Sequence, residues 1–270
     1  LEAERPGMVA VVGIPLDENS SFLRGPAQAP TLIRRALLCG SANLSTELGI
    51  DLSTHSGWRD VGDLVLSQGS AAFGEIEVGV GQLLDQGARV LSLGGDHSIT
   101  YPLLRAHAKA HAGLTILHLD AHPDLYDELD GNRRSHACPF ARILEEGLCK
   151  RLVQVGIRAL NPHQRQQAVR FGVEIHDAAS WQDDTPLHLD GPLYLSLDLD
   201  VLDPAFAPGV SHHEPGGFSV RDVLRIVHGL SWPIVGADLV EFNPTRDPVG
   251  MTAMVAAKFY REIVGRMLEE

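Results

Sequence analysis

Apolar residues along this chain follow two rhythms. The short run MVAVVGIP (8–15) is apolar without alternation, which is the pattern of a strand buried on both faces, and ARVLSLGG (88–95) reads as the next strand. Longer stretches between such runs have helical spacing. APTLIRRALLCG (29–40) carries proline near its start and Gly40 past its end, so it reads as a helix. An irregular stretch follows, and helix is predicted next over 70–87. ITYPLLRAHAKAHAG (99–113) is a helix whose Pro102 fits only its first turn. LTILHLD (114–120) is a strand that has ended by Pro123. ACPFARILEEG (137–147) reads as helix, KRLVQVGI (150–157) as strand, NPHQRQQAVRFG (161–172) as a helix capped by Asn161, and VEIHD (173–177) as a short strand. GPLYLSLDLD (191–200) is the most β-like run. FSVRDVLRIVHGL (218–230) opens with Ser219 and, three residues on, Asp222, a capping-box pattern. PIVGADLVEF (233–242) is the last strand and 250–268 a closing helix.

This alternation predicts an α/β fold with a mainly parallel sheet and helices on both faces. No repeat, low-complexity tract or linker interrupts it, so 1–270 is expected to be a single domain. In such folds, function collects beyond the carboxyl ends of the strands. Here those ends carry the chemistry. The run at 88–95 delivers Asp96 and His97; that at 114–120 delivers Asp120, His122 and Asp124; that at 191–200 delivers Asp198, Asp200 and Asp203; and that at 233–242 ends in Glu241.

Residues two apart in extended chain point the same way, so Asp198 is expected to share a side with Asp200, and Asp120 with His122. Carboxylates held side by side repel unless a cation lies between them. The set His97, Asp120, His122, Asp124, Asp198 and Asp200 suits two divalent ions. Imidazole and carboxylate without thiolate favour Mn²⁺ over structural zinc, and Mg²⁺ less, since it prefers oxygen alone. Asp96 and Asp203 are read as turn formers or supporting hydrogen-bond partners, and His118 as a core histidine satisfied by a neighbour.

The bulk composition narrows the partners. The 270 residues include 22 basic and 35 acidic side chains, a net charge of −13, which argues against nucleic acid or an anionic membrane as partner. No run has the length of a membrane span. Three cysteines without paired spacing point to free thiols and a reducing compartment. A cytoplasmic location is expected; since the sequence starts at Leu1, a mitochondrial matrix form with its transit peptide removed stays open.

With these residues in view, the chain resembles the ureohydrolases, that is arginases, agmatinases and their relatives. The likeness runs from GIPLDENSSFLRGPAQAP (13–30) through GGDHS, DAHPDLYD, SLDLDVLDPAFAPG and GADLVEFNP to the final helix, and DPAFAPGVSHHEPGG and FNPTRDPVGMTAMVAAK look most like the plant-type arginases. The resemblance implies a three-layer α/β/α fold, a homo-oligomer (trimer or hexamer) and two Mn²⁺ per subunit. One ion would be held by His97 and Asp124 and the other by His122 and Asp200, with Asp120 and Asp198 bridging. It implies hydrolysis of a small guanidino substrate to urea and an amine. Asp124 would orient the nucleophile, Glu241 would bind the guanidinium, and His136 would be general acid or proton shuttle.

For the substrate's tail, Asn132 with Arg133 or Arg134 in the loop 127–136 is a candidate carboxylate contact, since arginine pairs with carboxylates in bidentate geometry. L-Arginine is the expected substrate, with agmatine or another guanidino compound as the alternative. A two-metal phosphoesterase would want a phosphate cradle that is not evident, and a one-zinc deacetylase would not need His97 and Asp124. A catalytically silent metal-binding relative is the non-enzyme alternative.

Overall fold

A computed structural model describes residues 6–182 and 185–269. Its eight strands are β1 Val9–Gly13, β2 Trp58–Asp63, β3 Arg89–Leu93, β4 Thr115–Leu119, β5 Arg151–Ile157, β6 Glu174–Asp177, β7 Leu193–Asp198 and β8 Ile234–Val240. They form one sheet in the order β2-β1-β3-β8-β7-β4-β5-β6, and every pairing is parallel. Seven α-helices cover it: α1 Ala29–Leu37, α2 Ala71–Asp85, α3 Thr100–Ala110, α4 Pro139–Glu145, α5 Pro162–Phe171, α6 Val220–His228 and α7 Met251–Leu268.

Two apolar cores give three layers. Alternate residues of a strand face opposite ways. In β1, Val9 and Val11 join Ile33 of α1, Val227 of α6 and Phe259 of α7, while Ala10 and Val12 join Ile76 of α2, Leu103 of α3 and Phe140 of α4. The expected caps are present. Asn161 Oδ1 accepts from Gln164 N at 2.9 Å, and Ser219 and Asp222 make the reciprocal bonds of a capping box.

Two local expectations need correction. Residues 58–63 form a strand where the sequence reads as irregular. WRDVGD lacks an apolar run because β2 is an edge strand, partly exposed and tied to α1 by Arg34, which bonds Asp60 and Asp63. Asp200 is not in extended chain: β7 stops at Asp198, and Leu199–Val201 is a 3-10 turn. The two carboxylates converge because Asp198 caps that turn, its Oδ1 accepting from Asp200 N at 2.8 Å. Likewise β4 ends at Leu119, and His122 N turns back to donate to Asp120 Oδ1 at 2.5 Å.

Candidate functional site

β3, β8, β7 and β4 are consecutive in the sheet, so their carboxyl ends bring His97, Glu241, Asp198 and Asp120 to one place. The chain leaves β3 through Gly95, where any Cβ would overlap the Leu16 carbonyl oxygen. Asp96 then caps the 3-10 turn His97–Ile99, accepting from Ser98 N at 3.0 Å, which fits its reading as a supporting residue. Its other oxygen accepts from Asn19 N at 3.0 Å and pins the loop after β1 to this edge. Asp124 (φ 49°) and Glu241 (φ 63°) both have left-handed backbone, a costly conformation for a residue with a side chain. Held strain at two candidate site residues marks a site that its surroundings fix.

Nδ1 of His97 lies 3.2 Å from Asp120 Oδ2, 3.0 Å from Asp124 Oδ2 and 3.1 Å from Asp198 Oδ2, yet no hydrogen bond from it has acceptable direction. The ring's other nitrogen explains what Nδ1 is for. Asp238 accepts hydroxyl hydrogens from Ser196 (2.7 Å), Tyr194 (2.7 Å) and Thr100 (3.0 Å). With its proton given to Asp238, Ser196 Oγ accepts from His97 Nε2–H at 3.0 Å. In the neutral ring Nδ1 is then a lone pair facing the gap among three carboxylate oxygens, an arrangement that suits a cation.

The second imidazole is arranged similarly. His122 Nδ1 lies 2.9 Å from Asp200 Oδ2 and 3.5 Å from Asp120 Oδ1. Burial and the adjoining charges of Asp200 and Asp120 push the Asp198 carboxyl well above its ordinary range, and burial with Asp120 pushes Asp200 up to about 6. Burial lowers His122, but the Asp200 and Asp120 carboxylates outweigh it and raise the ring to about 12. The cluster carries more negative charge than its histidines neutralise, so its donor set fits divalent cations.

His118 also approaches this centre, within reach of a shared ion with His97 and Asp120. It is not a ligand. The Gln154 amide donates to Pro123 O at 2.7 Å and to His118 Nδ1 at 3.0 Å, so His118 carries its proton on Nε2 and donates it to Asp120 Oδ2 at 2.7 Å.

Beside the cluster opens a cavity of about 550 Å³, lined among others by Ser21, Asp124, Tyr126, His136, Asn161, His212 and Glu241. Glu241 Oε1 accepts from His97 N at 2.9 Å and from His136 Nδ1 at 3.0 Å, while its buried Oε2 has no partner. Burial lowers His136, but the Glu241 carboxylate prevails and raises it to about 9. Burial would raise Glu241; His136 outweighs it and holds the carboxyl below its usual value.

The structure brings together nearly all the expected site residues. The exceptions are Asn132, Arg133 and Arg134, none of which lines the cavity. Asn132 donates to Asn19 Oδ1 at 3.2 Å, Arg133 pairs with Glu145 at 2.9 Å, and Arg134 lies over the Phe73 ring at 5.1 Å. Asn132 stays near His136, since both bond Asn19, whereas Arg133 and Arg134 follow a tight turn with Asp130 and Gly131 at positive φ and lie exposed. In return the structure adds Ser21, His212 and Asp238. Ser21 follows β1, at the same edge of the sheet that flagged the others. His212 stacks on His136 with ring centroids 5.1 Å apart, and nothing in SHHEPGG separates it from exposed His213.

A parallel α/β/α sandwich with a carboxylate–histidine metal centre at the carboxyl edge of its sheet defines the class. The model of the Arginase family matches residues 8–265, and the chain belongs to that family. It is 49% identical over 275 residues to arginase 1, mitochondrial, of Arabidopsis thaliana, covering 96% of this chain and 80% of that one. The agmatinase of Neisseria meningitidis is 37% identical over 267 residues, covering 94% and 85%. Among solved structures, the arginase from Medicago truncatula superposes with a TM-score of 0.93 at 43% identity, covering 98% and 89%.

Proposed function

We propose that this chain is a manganese-dependent hydrolase that converts L-arginine to L-ornithine and urea. The observation that carries the reading is the cavity lined by His122, Asp124, Asp198 and Asp200 of the acid–histidine cluster and by Glu241, one of whose carboxylate oxygens has no partner. Its likeness to plant arginases supplies the substrate.

His97 and Asp124 would hold one Mn²⁺, His122 and Asp200 a second, with Asp120 and Asp198 shared. Bound there, the ions supply the missing positive charge and make a nucleophile of water near neutral pH. The chain's own residues do the rest. Glu241 Oε2 accepts from the substrate guanidinium and holds it charged and in place. Asp124 orients the attacking water from the cavity floor. His136, kept protonated by Glu241, gives a proton to the leaving amine. The whole chain acts as one catalytic unit and assembles as a trimer or hexamer, in the cytoplasm or, if a transit peptide precedes this sequence, in the mitochondrial matrix.

A second reading, agmatine as substrate, has one observation in its favour. Arg158, the one guanidinium lining the cavity among the described residues, donates to the carbonyls of Gly156, Asp200, Val201, Leu202 and Glu214, leaving no obvious cation for a substrate carboxylate. Manganese-loaded protein assayed in parallel with both compounds decides. Ornithine with urea supports arginine, putrescine with urea supports agmatine, and urea from neither overturns the hydrolase reading.

A further inference from the structure

The acid–base histidine has a second partner. His136 Nδ1 faces the Glu241 carboxylate, which can only accept, so that nitrogen keeps its proton. Exchange with any other group must therefore use Nε2. Yet Nε2 is already occupied by Ser21 Oγ at 2.8 Å. Ser21 is exposed and lines the same cavity as Asp124 and Glu241, whereas His136 is buried. The other face of the imidazole is covered by the His212 ring.

The loop bearing Ser21 is built to stay there. Asp17 Oδ2 accepts from Gly25 N at 2.7 Å and Ala27 N at 3.2 Å, closing the loop on itself. Asn19 donates its N–H to buried Asp96, while its carbonyl accepts from His136 N at 3.1 Å. Loop and histidine are thus fastened to each other by backbone as well as by the Ser21 hydroxyl.

We propose that Ser21 is a proton relay between His136 and the cavity. The relay rests on the hydrolase reading above. In the step, His136 Nε2–H breaks as a proton passes to Ser21 Oγ, and Ser21 releases its own hydroxyl proton to the leaving nitrogen. One N–H bond forms there, the imidazole is left neutral, and the serine is regenerated with its hydrogen now pointing from Oγ to Nε2. A proton taken up through the same hydroxyl recharges the ring.

The test uses the full chain loaded with Mn²⁺ and L-arginine, comparing wild type, Ser21→Ala and Ser21→Thr with and without added imidazole as a diffusible proton donor. Since positioned acid–base groups contribute about 10²–10⁴-fold, kcat of Ser21→Ala should fall at least about tenfold, with water replacing the hydroxyl in part and KM little changed. Threonine should restore most of the rate, and imidazole should raise kcat of the alanine variant saturably without affecting wild type. Wild-type kcat in Ser21→Ala would overturn the relay and leave the hydrolase standing. A loss that imidazole does not relieve would also overturn it, reducing Ser21 to a support for the ring. No urea from wild type, with L-arginine or with agmatine in its place, would instead sink the hydrolase reading, and the relay with it.

Discussion

The Gln154 amide donates to His118 Nδ1 at 3.0 Å, on the side of the ring opposite the Nε2–H that His118 gives to Asp120, and so holds the imidazole in place between the two. Replacing Gln154 by Met keeps bulk but removes the donor that fixes the His118 ring, so its bond to Asp120 is held less firmly. Supporting bonds to metal ligands are worth about 10–100-fold in affinity, and a loss of that order for Mn²⁺ is expected by titration calorimetry. Unchanged affinity would disconnect the positioning of the His118 ring from the ion.

Glu241→Gln retains the shape and an oxygen able to accept from His97 N, but not the charge proposed above to bind a guanidinium, nor the charge that raises His136. Metal content should stay at the wild-type level while turnover falls by about 10² or more, the scale of a lost positioned acid. Measuring manganese by elemental analysis beside urea release separates the two. Activity near wild type would remove Glu241 from the site's chemistry.

Arg133→Ala and Arg134→Ala should leave KM for arginine essentially unchanged. Arg133 is spent on Glu145 and Arg134 on Phe73, and neither lines the cavity. A large rise in KM for either variant would return that loop to substrate recognition.

His107 is fully buried in the sheet–helix core, with Nδ1 on the Leu103 carbonyl and Nε2 unpaired. Burial lowers its pKa from 6.5 to about 4. Between those values the unfolded chain binds the proton and the folded chain does not, so the stability it confers is complete above pH 6.5 and lost as pH falls toward 4. From pH 7.5 to 4.5 the loss from this residue is about 2–3 kcal/mol. Denaturant unfolding of wild type and His107→Gln at both pH values isolates it, because other groups titrate in both proteins. Equal pH dependence would show that His107 does not resist protonation.

Gly236 of β8 lies against the same imidazole, where an added Cβ would overlap Nε2 of His107. Overpacking costs about 1–3 kcal/mol, so Gly236→Ala should lower the midpoint of thermal unfolding clearly, and His107→Ala in the same chain should recover part of the loss. Independent effects of the two changes would mean that they do not share this contact.

Much of this molecule is legible in its sequence, for physical reasons. β3, β4, β7 and β8 lie inside the sheet, so each is mostly apolar with few polar positions, and each ends where acids or histidines begin. Local chemistry likewise reveals the Asn161 cap and the Ser219–Asp222 box. β2 is missed because an edge strand needs no apolar run. Ser21 and His212 are missed because their meaning lies in contacts across the fold: Ser21 meets His136 from 115 residues away. Arg133 and Arg134 fail in the opposite sense, as close neighbours of His136 in sequence that a left-handed turn sends elsewhere.

One feature of the sheet order bears on how the protein comes into being. β8, the last strand made, is the sole link between the block β2-β1-β3 and the block β7-β4-β5-β6. A chain growing from the ribosome holds most of its acids long before Ile234–Val240 emerges, but has no scaffold to bring His97 beside Asp198. Until that strand inserts, β3 and β7 each present an open edge suited to pairing with another chain. Assembly of the acid–histidine cluster therefore waits for β8, the keystone that both closes the sheet and brings the four strand ends together.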